Sequence, residues 1–167
     1  MAKYLVIGAS GDIGAALCGL LVSQGHQVLT SSRQSGCDFT LDATDFSAVD
    51  AVFQKVGNLD GVVNCSGSLL LKPAHLTSES EWQETIAASL TTSFAVVRAA
   101  GKYMTQGGSV VLIGSAAAEI GLANHEAIAA AKAGILGLAR SAATYAHLGL
   151  RFNVVEPGLT ETRLTTS

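Results

Sequence analysis

Charge is scarce in this 167-residue chain: Asp, Glu, Lys and Arg make up 14% of it, aromatics 5%, and there are only two prolines. The ten basic residues are scattered among thirteen acidic ones, for a net charge of −3. A phosphate-backbone binder needs a clustered basic face, so a nucleic-acid partner is not expected. The cysteines, Cys18, Cys37 and Cys65, are odd in number and form no C-x-x-C. That argues against a disulfide framework or a zinc site and predicts buried thiols in a reducing compartment. No apolar run is long enough to span a bilayer. The opening "MAKYLVIGAS" is too short an apolar run for a signal peptide. A cytoplasmic protein without a membrane partner and without a metal is therefore expected. What the chain does have is apolar residues, 49%, and 18 glycines. At this length they suffice for one globular domain, 1–167, with a real core.

Short β-rich runs alternate with helical patterns. "KYLVI" (3–7), "HQVLT" (26–30), "CDFTL" (37–41), "LDGVVN" (59–64), "GSVVLIG" (108–114) and "RFNVV" (151–155) read as strands. "DIGAALCGLLVSQG" reads as a helix stopped by Gly25, and "DFSAVDAVFQKVG" as one with a stripe of Phe46, Val49, Val52, Phe53 and Val56. Ser78 and Glu81 form a capping box ahead of a long helix, 82–104. A further alanine-rich helix runs from "HEAIAAAKAGILG" to about His147. Apolar strands separated by helices predict a doubly wound α/β domain, a Rossmann-type parallel sheet covered on both faces, with ligands beyond the carboxyl ends of the strands. One connection is unusual. Only "SSRQSG" (31–36) joins the second and third strands, whereas a parallel crossover normally needs a dozen residues and a helix. Either that helix is missing or the third strand lies elsewhere.

"VIGASGDIG" joins the first strand to the first helix, with Gly8, Gly11 and Gly14 spaced G-x-x-G-x-x-G. Glycines there permit a tight turn and close approach of backbone to a pyrophosphate, which the helix N-terminus attracts. The segment after the second strand, "TSSRQ", lacks the acid that would take ribose hydroxyls in an NAD site. Ser31, Ser32 and Arg33 suit a ribose phosphate instead, which favours NADP over NAD. The alternative is a solvated loop arginine at 33.

With these residues placed, the chain resembles the short-chain dehydrogenase/reductase family from about residue 3 onward. The family's glycine motif is similar to "IGASGDIG", Gly8 to Gly14, with Asp12 where the middle glycine usually stands. The resemblance implies cofactor contacts from Ser10, Gly11, Asp12 and Ile13 in that loop and from Ser32 and Arg33 after the second strand. It implies an adenine contact from Asp42 in "LDATD", and an N-A-G-like motif in "NCSG", Asn64 to Gly67. "EPGLTET" resembles the family's proline-glycine turn, with Pro157, Gly158 and Thr162 near the cofactor amide.

The resemblance also implies a catalytic group of Asn, Ser, Tyr and Lys. Ser115 in "LIGSAAA" and Lys132 in "AAAKAG" occupy the serine and lysine places. Ile128 stands where the tyrosine should be, four residues before the lysine, and Ser89 stands at the asparagine place. In the family mechanism the tyrosine moves a proton to or from the substrate oxygen while hydride passes to or from the nicotinamide. Isoleucine has no proton to give. The short link at 31–36 and the missing tyrosine resemble a compact branch of the family. The chain ends at "TRLTTS", where members usually continue into a substrate-covering lid.

Lys132 has Ile128, Ala129, Ile135 and Leu136 as helical neighbours. A ligand to the nicotinamide ribose explains a lysine on such a face; a snorkelling lysine is the plainer alternative. His125 is a substitute acid or an exposed loop histidine, and Tyr103 and Tyr145 are packing residues. The expectation is an NADP(H)-binding oxidoreductase interconverting a small carbonyl and an alcohol with an eroded catalytic group. The alternatives are a catalytically inactive nucleotide-binding or scaffold protein, and a glycine-turn domain with no nucleotide. Helices 82–104 and 126–147, the family's usual subunit contact, predict a homodimer or homotetramer.

Overall fold

The computed structural model describes residues 1–165. Six parallel strands form one sheet: β1 (Lys3–Ile7), β2 (Gln27–Ser32), β3 (Phe39–Thr40), β4 (Gly61–Asn64), β5 (Gly108–Ile113) and β6 (Leu150–Val155). Their order is β3-β2-β1-β4-β5-β6. From β1 the chain steps one way to β2 and later returns to the other side of β1 to lay down β4. The carboxyl ends of β1 and β4 therefore flank the topological switch point, where ligands of such sheets bind. The register pairs Ile7 with Ser31 on one side and with Asn64 on the other.

The third strand is real but only two residues long, with Ser31 opposite Phe39 and Ser32 opposite Thr40. Of the two alternatives, the missing crossover helix is the correct one. Asp38 makes the short link work. Its carboxylate accepts from the Thr30 N–H and hydroxyl, both at 2.8 Å, and its own N–H donates to the Thr30 hydroxyl at 3.1 Å. Because the far end of the loop is tied by three bonds to one β2 residue, no helix is needed to fix its path. The second strand also runs two residues beyond Thr30, to Ser32.

Helices lie on both faces, unequally. Right-handed crossovers put α1 (Asp12–Ser23) on one face and α2 (Phe46–Val56), α4 (Thr92–Tyr103) and α6 (Glu126–Ala142) on the other. Only Gly14 of α1 is buried. The core lies under the other three, where Leu5, Ile7, Val62, Val110 and Leu112 of the sheet meet Val49, Phe53, Val96 and Ile135. Truncating Phe53, 1% exposed, to alanine would cost about 3–5 kcal/mol.

The predicted helix stops are present. The Gly25 and His26 N–H groups donate to the Val22 and Leu21 carbonyls at 2.9 and 3.1 Å, the paired bonds of a Schellman turn. Asp45 caps α2 through the N–H groups of Ser47 and Ala48. The Ser78–Glu81 capping box is formed in full.

Two predicted helices are corrected. The segment 82–104 is not one α-helix: it starts earlier, as α3 (Glu79–Ile86), widens into a π turn at Ala87–Thr91, and continues as α4. Hydroxyls drive the widening. Thr92 and Ser93 donate back to the Ala88 and Ser89 carbonyls at 2.9 and 2.8 Å and compete with the helical N–H groups. The last long helix stops at Ala142, and Ala143–Leu148 is 3₁₀. A four-residue helix, α5 (Ala117–Ile120), and a 3₁₀ turn at Ala74–Leu76 were not expected from the sequence. The three cysteines are free but half-buried rather than buried. Tyr103 and Tyr145 pack against the core, as expected.

Candidate functional site

The switch point opens into a cleft of about 190 Å³. One wall is the glycine loop, with Ile7, Gly8, Ser10 and Gly11; Ser32, Arg33 and Gln34 close one end. Leu41, Asp42, Ala43 and Thr44 form the next side, and Cys65, Ser66 and Gly67 with Ala88 and Thr92 complete it.

The glycine loop is built for close approach. Gly8 has φ 80°, and a Cβ there would lie 2.7 Å from the Ser66 nitrogen. A Cβ on Gly14 would overlap the Gly8 carbonyl oxygen and lie 2.9 Å from the Ala9 Cα. Only backbone fits at these points, so the loop lies close against the Cys65–Ser66 segment that follows β4, and Gly11, the N-cap of α1, lines the cleft. Gly8 and Ala9 donate to the Ser31 carbonyl at 2.9 and 3.0 Å, which ties the loop to the end of β2. The first turn of a helix carries N–H groups without intrahelical partners and a partial positive charge. An extended molecule with a diphosphate in its middle matches this cradle, and the apolar edge of Leu41 and Ala43 suits a flat ring.

Asp42, at the far edge, accepts from the Thr44 N–H and hydroxyl at 2.9 and 2.7 Å. These bonds, with the Arg33 charge as a lesser contribution, hold its carboxyl below the usual range. Arg33 is exposed at the mouth.

Asn64 does not line the cleft; it holds the wall. It is 1% exposed. Its Oδ1 accepts from the Ser66 N–H at 3.1 Å, and its Nδ2 donates to the Thr92 and Ser93 hydroxyls at 3.3 and 3.2 Å. The strand end, the loop after it and the first turn of α4 are thereby locked together.

Beyond Gly67 a second group converges. Lys132, 8% exposed, donates from Nζ to the Ile113 carbonyl at 2.7 Å. A Cβ on Gly67 would lie 3.5 Å from that Nζ and 3.8 Å from the Ser89 Oγ. Ser89 is 0% exposed, and its hydroxyl has no hydrogen-bond partner among the described residues. Burial pushes the Lys132 ammonium down to about 8 and the Cys65 thiol up to about 12. Ser115, half-buried just past β5, accepts from the Ala117 N–H at 3.2 Å. The Ala116 N–H donates to the Pro157 carbonyl at 3.0 Å, which brings the Pro157–Gly158 turn beside Ser115. Ile128 is 4% exposed and packed. His125 is half-buried, its Nδ1 2.8 Å from the Ala123 carbonyl oxygen.

Of the residues expected at the cofactor, Gly8, Ser10, Gly11, Ser32, Arg33, Asp42 and Gly67 line the cleft. Gly14 lies behind the loop, and Ile13 is 37% exposed. Asp12 is taken by Arg163, whose N–H and Nε each donate to one of its oxygens at 2.7 Å. Thr162 belongs to that C-terminal turn, where its N–H donates to the Thr165 hydroxyl at 3.0 Å. Sequence reasoning missed Gln34, Thr44, Ser66 and Thr92, all close neighbours of motif residues, and Arg163, 151 positions from its partner.

The parallel sheet, its switch point and the glycine cradle define a Rossmann-type nucleotide-binding domain. Comparison with known proteins narrows this. A family model described as enoyl-(acyl carrier protein) reductase matches residues 22–167. The chain is 31% identical to D-threitol dehydrogenase of Mycolicibacterium smegmatis, over 96% of its own length and 70% of that protein. It is 35% identical to the 3-oxoacyl-[acyl-carrier-protein] reductase MabA of Mycobacterium tuberculosis, over 98% of its length and 71% of that protein. The ligand-free aldohexose dehydrogenase of Thermoplasma acidophilum superposes with a TM-score of 0.90 at 28% identity, covering 98% of this chain and 68% of that one. The chain belongs to the short-chain dehydrogenase/reductase family. Among the described residues no helix is long and apolar enough to cross a membrane.

Proposed function

We propose that this chain is an NADP(H)-binding oxidoreductase of the short-chain type, acting on a small carbonyl or alcohol, whose catalytic group lacks its tyrosine. The observation that carries the reading is the placement of Lys132. A buried charge on α6 is held at the end of β5, two residues before Ser115, and reaches the Gly67 edge of the cleft. Burying an ammonium is costly without a purpose for it, and a ribose diol bound beyond Gly67 would supply acceptors for its remaining N–H groups.

The chain's residues divide the work. Gly8 to Gly14 and the α1 N-terminus hold the diphosphate, while Asp42 and Leu41 border the adenine. Arg33 and Ser32 favour a ribose phosphate, since a guanidinium pairs with phosphate through two parallel bonds. The bound nicotinamide would supply hydride chemistry. Ser115 would hold the substrate oxygen by donating its hydroxyl, and no phenol stands beside it to move a proton. Turnover is accordingly slow. Ser89, with its unpartnered buried hydroxyl, suits an ordered water near Lys132.

A second reading, a non-catalytic nucleotide-binding or scaffold protein, is favoured by one observation: Ile128, which the resemblance sets at the proton donor's place, is 4% exposed. The two readings separate in one experiment. NADPH and NADH are titrated by fluorescence, and NADPH consumption is followed against a panel of carbonyls. Binding with slow, Ser115-dependent turnover supports the enzyme. Binding with none supports the scaffold, and no binding of either dinucleotide refutes both. The assembly this reading carries is a homodimer or tetramer through the α4 and α6 faces.

A further inference from the structure

The C-terminal segment of the described chain crosses back over the glycine loop. Arg163 donates its main-chain N–H to Asp12 Oδ2 and its Nε to Asp12 Oδ1, both at 2.7 Å, and its Nη2 to the Ser10 carbonyl at 3.0 Å. Three bonds from one residue thus fall on Ser10 and Asp12, at the end of the glycine loop and the start of α1. The arginine is presented by a turn that ties itself. The Thr165 hydroxyl donates its one proton to the Thr160 carbonyl at 2.6 Å, with the Thr162 carbonyl oxygen also within 3.0 Å, and accepts from the Thr162 N–H at 3.0 Å.

Asp12 makes this contact chemically pointed. It is the first residue of α1, so its carboxylate sits where the helix N-terminus attracts anions. An unpaired carboxylate there would repel a diphosphate. Paired with Arg163 its charge is cancelled, and the guanidinium is 73% exposed, with Nε and Nη2 taken by Asp12 and Ser10. An exposed ion pair is weak by itself, and here two further hydrogen bonds, from the Arg163 main-chain N–H and from Nη2, reinforce it.

We propose that residues 156–165 form a strap latched over the glycine loop by Asp12 and Arg163, and that Arg163 is a positioning residue that retains the dinucleotide by its diphosphate. The proposal rests on the reading of the cleft as a dinucleotide site. Arg163→Met removes the two guanidinium bonds, keeps the main-chain bond to Asp12, and leaves the Asp12 charge uncancelled against the diphosphate. Asp12→Asn breaks the ion pair, leaves an amide oxygen to accept the main-chain bond, and removes the repulsion. The two substitutions therefore have unequal and non-additive effects.

Two measurements test this. In the free protein, hydrogen–deuterium exchange across 156–165 should quicken several-fold in both single variants while the core strands remain protected as in the wild type. Exchange unchanged by either substitution overturns the latch whether or not NADPH binds. In the second measurement, NADPH dissociation is followed by stopped-flow fluorescence. Arg163→Met should release NADPH about tenfold faster, the value of one charge-assisted contact. Asp12→Asn should have a smaller effect, and the double variant should match Asp12→Asn rather than the sum. Equal dissociation rates in all four proteins overturn the retention role. Wild-type protein that binds neither NADPH nor NADH overturns the functional reading and the retention role together, and the exchange result then stands alone as evidence about the latch.

Discussion

Lys132 on α6 donates from Nζ to the carbonyl of Ile113, the last residue of β5, across 2.7 Å. The bond pins a buried charge between the central helix and the sheet edge of the site. Its cost should be visible in the pH dependence of stability. Burial lowers the lysine from its ordinary 10.5 to about 8 in the folded chain. Below about 8 both states carry the proton and the folded state bears the full burden of burying it. Between about 8 and 10.5 the unfolded chain holds the proton and the folded chain does not, so stability rises with pH. A tenfold difference in proton affinity between the two states corresponds to about 1.4 kcal/mol, so the rise attributable to Lys132 is a few kcal/mol at most. Urea unfolding of wild type and Lys132→Met from neutral pH to about 10 isolates it, since other titrations are common to both. The wild type should gain on the variant over that window; a constant difference would disprove the burden.

Arg33 should set the cofactor preference. It stands exposed at the cleft mouth with Ser32 and Gln34, and Asp42 lies close enough to feel its charge. Arg33→Glu should weaken NADPH binding about tenfold or more, the loss of one charge-assisted phosphate contact plus a new repulsion. NADH affinity should hold or improve. Equal affinity for the two dinucleotides in the unmutated protein would remove the basis for the assignment.

On the outer side of α6, Ala130, Ala133 and Gly137 are exposed, and the Gly137 Cβ direction faces open space. Small residues let a second helix approach closely. Ala133→Arg should therefore release monomers from an assembly built on α4 and α6, with little loss of melting temperature in the monomer itself. Sedimentation at micromolar concentration reads this directly, and a wild type that already sediments as a monomer rules the interface out.

Much of the fold was legible because its determinants are local. The glycine loop, the α2 stripe, the capping box and the Gly25 stop each depend on residues within one or two turns, and each formed as expected. The misses share a physical cause, competition by side chains that periodicity does not register. Thr92 and Ser93 hydroxyls turned a predicted continuous helix into a π turn. Asp38 held a crossover that length alone argued against. The site was half legible. Motif residues from Gly8 to Gly67 line one cleft, but Asn64 works beneath its surface. Nothing near Asp12 in sequence announces Arg163.

Ile128 gives the sharpest test of the catalytic assignment. It lies one turn before Lys132 on α6, where the proposed assignment puts the tyrosine, and is 4% exposed. If Ser115 and Lys132 keep their family roles, the proton donor is the principal missing part. Ile128→Tyr would set a phenol one helical turn from Nζ, and a nearby ammonium favours phenolate and lowers its pKa. Acid–base assistance is typically worth about 10²–10⁴-fold. NADPH-dependent reduction of small activated carbonyls should rise by one to three orders of magnitude, about 10–1000-fold, at the lower part of that range. Two things hold the gain down: on the same assignment Ser89 stands at the asparagine place, and a larger ring must be fitted at a packed position. A melting curve checks that the variant folds, and Ser115→Ala in the Ile128→Tyr background should abolish the gain. Robust turnover by the unmutated protein that survives both Ser115→Ala and Lys132→Ala would put the chemistry elsewhere in the molecule and overturn the assignment.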